Sequence, residues 1–437
     1  MSFLRGPTPK IGFGLAMVVL SGVVFIALVS RSVGDLAGVA ALTSLYFLIN
    51  TIALGVFAGV EQEMSRSVSQ EHAIGGSAWP VFHAVARQAL RLFLFATALV
   101  LVLSPVLASA FHGHWELVGE LVIGLLATCC ASTVRGALAG SKRFGLYAAT
   151  LAAEGLSRIV LCAGLWLFGV GSAWIFGLVF VLGQFFAALI GAGLFWRGSG
   201  LDRNDVSARA AAPRPAGKLR FGVSAALALL VVAGLTNQAI VNLPPVVIGA
   251  KLAAVPATAV AIGAAVTLTR LPMFAFVPLQ TMLLPRLTAD AARGNLTDVR
   301  RQTMRTIAAC VVLGLLGIAV LAVFGPQLLT IYLQKPAGLS GAVMAGLGVG
   351  TLFLMTTNVT QPALLAVGRH RAVLIAYLSG AAAMTVIFVL PIAPVTAAVL
   401  ATSAGPIVVA IVMSVILLRA TRVAAAPVPA GTGLPAA

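Results

Sequence analysis

The chain has 437 residues, 60% of them hydrophobic and only 9% charged, with a mean hydropathy of +1.07. Soluble domains are roughly 45–50% apolar and about 25% charged, so the composition excludes a water-soluble enzyme, a disordered protein and a disulfide scaffold. It leaves a polytopic membrane protein, on which 28 Lys and Arg stand against 11 Asp and Glu, a net charge of +17.

A bilayer crossing takes about 20 apolar residues. On that length, runs broken by charged or Gly/Pro-rich stretches predict twelve helices, near 9–30, 38–60, 86–110, 117–139, 144–168, 172–196, 220–247, 254–285, 300–324, 340–367, 372–391 and 394–418. The first follows Arg5 and Lys10, and its apolar run exceeds the core of a signal peptide, about 7–15 residues; it is read as a retained span. The eighth holds Pro256, Pro272 and Pro278, so a kinked or partly unwound helix is expected.

With the N-terminus inside, 23 of the 28 basic residues fall on inner segments. Arg31, Lys251 and Lys335 fall outside, and Arg158 and Arg270 fall within spans. Such a split predicts a cell-membrane protein with both termini cytoplasmic. It also accounts for the positive charge without nucleic acid, because the basic residues sit in short loops; no nucleic-acid partner is expected. Trp115, Trp166 and Trp174 near one interface and Trp196 near the other suit interfacial anchoring.

The polar segment 197–219 reads as a cytoplasmic linker between a six-helix lobe at 1–196 and another at 220–419, followed by a disordered cytoplasmic tail at 420–437 that carries no charge from residue 424 on. The halves echo each other. Arg87-Gln88-Ala89-Leu90-Arg91 opens span three as Arg301-Gln302-Thr303-Met304-Arg305 opens span nine, and Leu138-Ala139 precedes Lys142-Arg143 as Leu365-Ala366 precedes Arg369-His370-Arg371. A duplicated unit with an even number of spans faces the same way twice, so the pseudo-two-fold axis runs along the membrane normal. The expected fold class is all-α, with ligand bound between the lobes near mid-depth.

No segment outside the membrane is large enough for a soluble catalytic domain, and Walker A, G-x-S-x-G and H-E-x-x-H motifs are absent. No enzyme activity, cofactor or metal is expected, although His112, His114 and Glu116 alternate in one outer turn. Cys129, Cys130, Cys162 and Cys310 fall in spans and read as packing residues, as do the G-x-x-x-G pairs Gly55/Gly59 and Gly136/Gly140.

Charges inside spans are costly, about 2.5–3.5 kcal/mol at a helix centre on insertion scales. Glu154 and Arg158 lie four residues apart on one face of span five. They are either a self-neutralising pair or an anion ligand with a titrating partner, and Glu154 is the one carboxylate well inside a span for ion coupling. Arg270, two residues before Pro272, has no acidic neighbour in sequence and suits a water-filled cavity. Arg31 and Lys251 either extend a basic lining or anchor helix ends. Asn50, Gln184, Asn237, Gln238, Asn242, Asn358 and Gln361 place amides at mid-depth, where they either hold a glycan or join helices.

Whole segments resemble the polysaccharide-transport flippases of the multidrug/oligosaccharidyl-lipid/polysaccharide superfamily: VSRSVGDLAGVAAL with Arg31, Gly34 and Gly38, GVEQEMSRSVS, LTRLPMFAFVPLQTMLLPRLTADAARGN and QPALLAVGRHR. The resemblance implies a V-shaped, two-lobed carrier with a central cavity. It would move a polyprenyl-diphosphate-linked oligosaccharide from the cytoplasmic to the outer leaflet by alternating access, for cell-surface polysaccharide or cell-wall assembly. Its partners would be the anionic substrate, membrane lipids and glycan-assembly enzymes of the same pathway. Arg158, Arg270 and Arg31 would hold the diphosphate, and Asn50, Asn237, Asn242, Asn358 and Gln361 the sugars. The superfamily's drug/cation antiporters carry an acidic residue within span one, and here none precedes Asp35. Cation antiport, and less readily a membrane glycosyltransferase, are the other readings.

Overall fold

The computed structural model describes residues 7–73, 76–198, 225–273, 287, 290–291, 293, 295–336 and 338–423. Among them the chain is all helical, and eleven helices are long and apolar enough to cross a membrane. The first lobe holds α1 (Pro7–Ser32), α2 (Leu36–Leu48), α3 (Leu54–Ala73), α4 (Ala78–Val102), the short α5 (Ser104–Ala110), α6 (Glu116–Gly140), α7 (Phe144–Leu167) and α8 (Ala173–Gly198). The second holds α9 (Ala225–Lys251), α10 (Pro256–Thr269), α11 (Leu296–Leu333), α12 (Gly341–Ala366), α13 (His370–Val389) and α14 (Pro394–Val423). This is the expected twelve-helix, two-lobe layout, with α2 and α3 joined into one span by the π-helical turn Ile49–Ala53.

Helix starts follow from local chemistry. The Asp35 carboxylate accepts from the amides of Ala37 and Gly38 and caps α2; Ser77, Asn295 and Ser340 do the same for α4, α11 and α12. Such caps satisfy amides that have no partner within the helix. In the eighth span α10 ends at Thr269 with Arg270 as its C-cap, two residues before Pro272; of the linker expected at 197–219, Arg197 and Gly198 still belong to α8, and the rest, like Pro278, lies outside the described residues.

The glycine pairs act in packing. A Cβ on Gly136 would meet the Glu61 carbonyl at 2.6 Å, and one on Gly140 the Ser65 carbonyl at 2.6 Å, so α6 and α3 touch backbone to backbone. Gly55 packs on Leu235 (2.8 Å to its Cα) and Gly59 on Leu230 and Val231, which joins the lobes along α3 and α9. A second seam is shorter. The Tyr332 hydroxyl donates to the Val23 carbonyl (2.6 Å) and Arg31 reaches the Ile331 carbonyl (3.5 Å), tying α1 to α11 near the end of the bundle that carries His114. Thr43 of α2 lies against Gly263 of α10, closing the middle of the interface.

Candidate functional site

Two polar centres occur inside the bundle. In the first lobe, Glu154 on α7 sits between two arginines: its Oε2 accepts from Arg135 Nη2 on α6 (2.6 Å), and its Oε1 pairs with Arg158 Nη1 (2.7 Å). Further donors of both arginines are engaged. Arg135 also donates to the hydroxyl (3.1 Å) and carbonyl (3.2 Å) of Thr150, and Arg158 Nε donates to the Phe180 carbonyl at 2.9 Å. The Arg158 guanidinium lies 4.1 Å from the centre of the Phe180 ring. Gln184 bonds Glu154 and accepts from the Thr128 hydroxyl at 2.6 Å. Tyr147 donates to Glu61 at 2.8 Å, and Glu61 is within electrostatic reach of Arg135. Two arginines and two carboxylates thus share one buried network, in which Glu154 pairs with both arginines and Glu154 and Arg158 are 2% and 4% exposed.

Among the described residues, Arg158 and Glu154 therefore make their polar contacts within α6–α8, not with the second lobe. Arg135, counted with the inner-segment charges, is buried at 6% exposure. Arg135, Glu61 and Tyr147 were not among the predicted site residues. Their partners lie 19 to 86 residues away in sequence, so the available signal was charge balance: Glu154 alone cannot neutralise every buried guanidinium near it.

The second centre lies at the lobe interface. Arg270 donates through Nη1 to the Asn242 side-chain oxygen (2.9 Å) and through Nη2 to the Val241 carbonyl, both on α9. Its guanidinium lies 5.3 Å from the centre of the Phe47 ring on α2, in the other lobe. Asn242 in turn donates to Gln238 at 3.0 Å. All of these partners are neutral, and among the described residues Arg270 has no carboxylate partner. The contact on α2 falls two residues before Ile49–Ala53, where Asn50 donates to the Tyr46 carbonyl (2.7 Å). Single π turns of this kind recur at functional sites. Tyr46 lies within electrostatic reach of both Arg158 and Arg270 and packs edge-on against Phe47 and Phe180.

The other predicted residues are dispersed. Arg31 is exposed and reaches Ile331, and Lys251 donates to the Phe388 carbonyl at 2.6 Å. Gln361 accepts from Tyr377 at 3.0 Å, an interhelical bond. Asn237 and Asn358 are half-buried without a side-chain hydrogen bond to the described residues. Among the described residues no three His, Cys, Asp or Glu side chains are placed to hold a metal; His114 instead bonds Glu116 (2.9 Å) and lies 3.4 Å from Asp35.

No family model matches the chain. It is 28% identical over 305 residues to the uncharacterized protein Rv1510 of Mycobacterium tuberculosis, and 25% identical over 308 residues to the uncharacterized protein Mb3654 of Mycobacterium bovis. Both alignments cover 68% of this chain, which spans about 65% of the length of these relatives. Among solved structures, it resembles an inward-facing multidrug resistance MATE family transporter of the MOP superfamily, with a TM-score of 0.70 and 14% identity over 95% of this chain and 98% of that one. An outward-facing MATE transporter gives 0.59 at 14% identity, covering 96% and 97%. The MATE multidrug transporter DinF-BH in complex with R6G gives 0.62 at 18% identity, covering 95% of each. The chain has the fold of the MATE transporters.

Proposed function

We propose that the protein is a flippase that moves a polyprenyl-diphosphate-linked oligosaccharide from the cytoplasmic to the outer leaflet by alternating access. The linker end of the bundle is cytoplasmic in this reading and the His114 end faces out. The observation that carries it is Arg270, a cation at the lobe interface whose partners are all neutral. A guanidinium held by an amide and a carbonyl keeps its charge and can bind a phosphate in two-pronged fashion. Asn50, Asn237, Asn242 and Asn358 supply amides for sugars, Arg31 lies at the outer rim, and the polyprenyl tail stays in lipid. Arg158 is assigned a supporting role, because Glu154 already neutralises it. With the interior negative, each anionic charge moved outward gains about 2.3 kcal/mol per 100 mV, so an anionic cargo needs no further driving ion on energetic grounds. If an ion is coupled, Glu154 is the carboxylate assigned to it in this reading.

The fold of the multidrug MATE transporters favours a second reading, drug/cation antiport. A cation-binding cavity would have to tolerate Arg270, so the two readings separate experimentally. Deleting the gene and labelling lipid-linked glycans should reveal accumulation in the cytoplasmic leaflet. Normal glycan export together with hypersensitivity to cationic drugs would reject the flippase and select the antiporter.

A further inference from the structure

Among the described residues, one buried carboxylate belongs to neither polar centre and to no ion pair. Glu120 lies on α6 one turn below Glu116, in the part of the span nearest His114, and is 5% exposed. Its Oε2 is buried and has no hydrogen-bond partner among the described residues. The pocket fits it: the oxygen occupies the space that a Cβ on Gly177 of α8 would take, so any other residue there would displace it. Leu42 of α2 closes the same pocket, 3.1 Å from that Cβ position. An ionised carboxylate in an apolar pocket with an unmatched oxygen is far costlier than the neutral acid.

The titratable groups near this pocket all lie toward the bundle end. Glu116 is one helical turn above Glu120 and interacts with it electrostatically. His114 bridges Glu116 and Asp35, the cap of α2. The facing parts of α8 and α2, Ala173–Val181 and Leu36–Leu48, bring no other ionisable side chain apart from Tyr46. A histidine between two carboxylates, above a buried carboxyl, is a short route by which a proton can pass from water to Glu120.

We propose that Glu120 is a proton-binding site, loaded from the His114 end and read out by α2. A proton from water at that end adds to the Glu120 carboxylate as the pocket closes, and leaves to the same water when the pocket opens. Helix α2 is the connection. Leu42 faces the Glu120 pocket, while Thr43 and Phe47 face Gly263 and Arg270 of the second lobe. The π turn just beyond them is an irregular point where α2 can change its turn. The proton site stands on this geometry alone; its coupling to transport rests on the transporter reading above.

The test uses the full chain in lipid nanodiscs, with infrared difference spectra recorded between about pH 5 and pH 9. The wild type should show the carbonyl stretch of a buried carboxylic acid. Glu120→Gln should remove that band, Glu120→Asp should shift it, and Gly177→Ala should weaken or move it by crowding the carboxyl. Hydrogen exchange in α2 should depend on pH beyond the intrinsic exchange rate in the wild type, and should lose that dependence in Glu120→Gln. A band that survives in Glu120→Gln overturns the proton site, as does a response to Na⁺ at constant pH in place of the response to protons. A lost band with unchanged α2 exchange overturns the coupling. If Glu120→Gln does not fold, Glu120→Asp carries the same comparison. None of these readouts depends on glycan export, so they fail or succeed separately from the flippase.

Discussion

Arg158 and Arg270 are both arginines inside predicted spans, yet their settings are opposite. Arg158 is 4% exposed and held by a carboxylate, a backbone carbonyl and an aromatic face, all within one lobe. Arg270 is half-buried at the junction of the lobes and held by an amide and a carbonyl, with an aromatic ring of the other lobe nearby. Charge burial is tolerated when it is matched, and an arginine already paired with a buried carboxylate gains less from a second anion. The position in the span is therefore a poor guide to role, whereas the partner's charge is a good one.

The contrast is best broken at its strongest point. Glu154→Ala leaves Arg135 and Arg158 buried without their carboxylate, and removing one member of such a pair costs about 3–5 kcal/mol. The variant should show a large drop in thermal midpoint or no folded yield; an unchanged midpoint would mean that this network does not hold the lobe. Overpacking the interface should cost less. Gly55→Ala places a methyl 2.8 Å from the Leu235 Cα and should lower stability by about 1–3 kcal/mol, measured by the same melt, without touching either arginine.

Arg270→Ala should have the inverse profile. Its folded yield and midpoint should stay close to wild type, while glycan export falls at least about tenfold, equivalent to roughly 1.4 kcal/mol of lost binding. Arg270→Lys should fall between, because an ammonium keeps the charge and loses the two-pronged geometry. Export that persists in Arg270→Ala would remove the distinction between the two arginines.

The smallest effect concerns pH and isolates the His114 end from both arginines. Burial and the neighbouring His114 hold His112 below the ordinary histidine value, with a partial offset from the Ala253 carbonyl. A histidine that is harder to protonate when folded stabilises the protein above about pH 6.5, and that contribution is lost as pH falls below it. His112→Phe should flatten the stability profile there. Burial pushes the Asp35 carboxyl up, but the amides of Ala37 and Gly38 and the adjacent His114 outweigh it and hold the group below the usual carboxylate range. Its contribution persists above about pH 4 and disappears only as pH drops through the lowered value. Asp35→Ala should cost about 1 kcal/mol as the loss of a helix cap, read as a small midpoint shift.

Much of the fold was legible because the signals that set it are local. Twenty apolar residues between charged flanks predict a span whatever surrounds it, and the boundaries at 144–168 and 340–367 agree within a residue or so with Phe144–Leu167 and Gly341–Ala366. The expected break in the eighth span also follows from local chemistry, since α10 stops at Thr269, three residues before Pro272. Span two, expected at 38–60, does run through the π turn into α3, but its extension beyond Val60 to Ala73 was not legible, because EQEMSRS looks like a polar flank. Tertiary packing buries part of it: Met64 packs on Gly136, and Glu61 finds Tyr147.

The site divides in the same way. The sequence by itself determined that the chain crosses the membrane about twelve times, that basic residues crowd one set of loops, and that Arg158, Glu154 and Arg270 are charges within spans. Tertiary structure alone decided that Arg135 joins Glu154, that Arg270 reaches Asn242 on another helix, and that Gly177 leaves room for Glu120. The physical reason is range. Transfer from water to lipid is close to a sum over each residue and its neighbours in sequence, whereas the cost of a buried charge depends on which partner the packing brings to it.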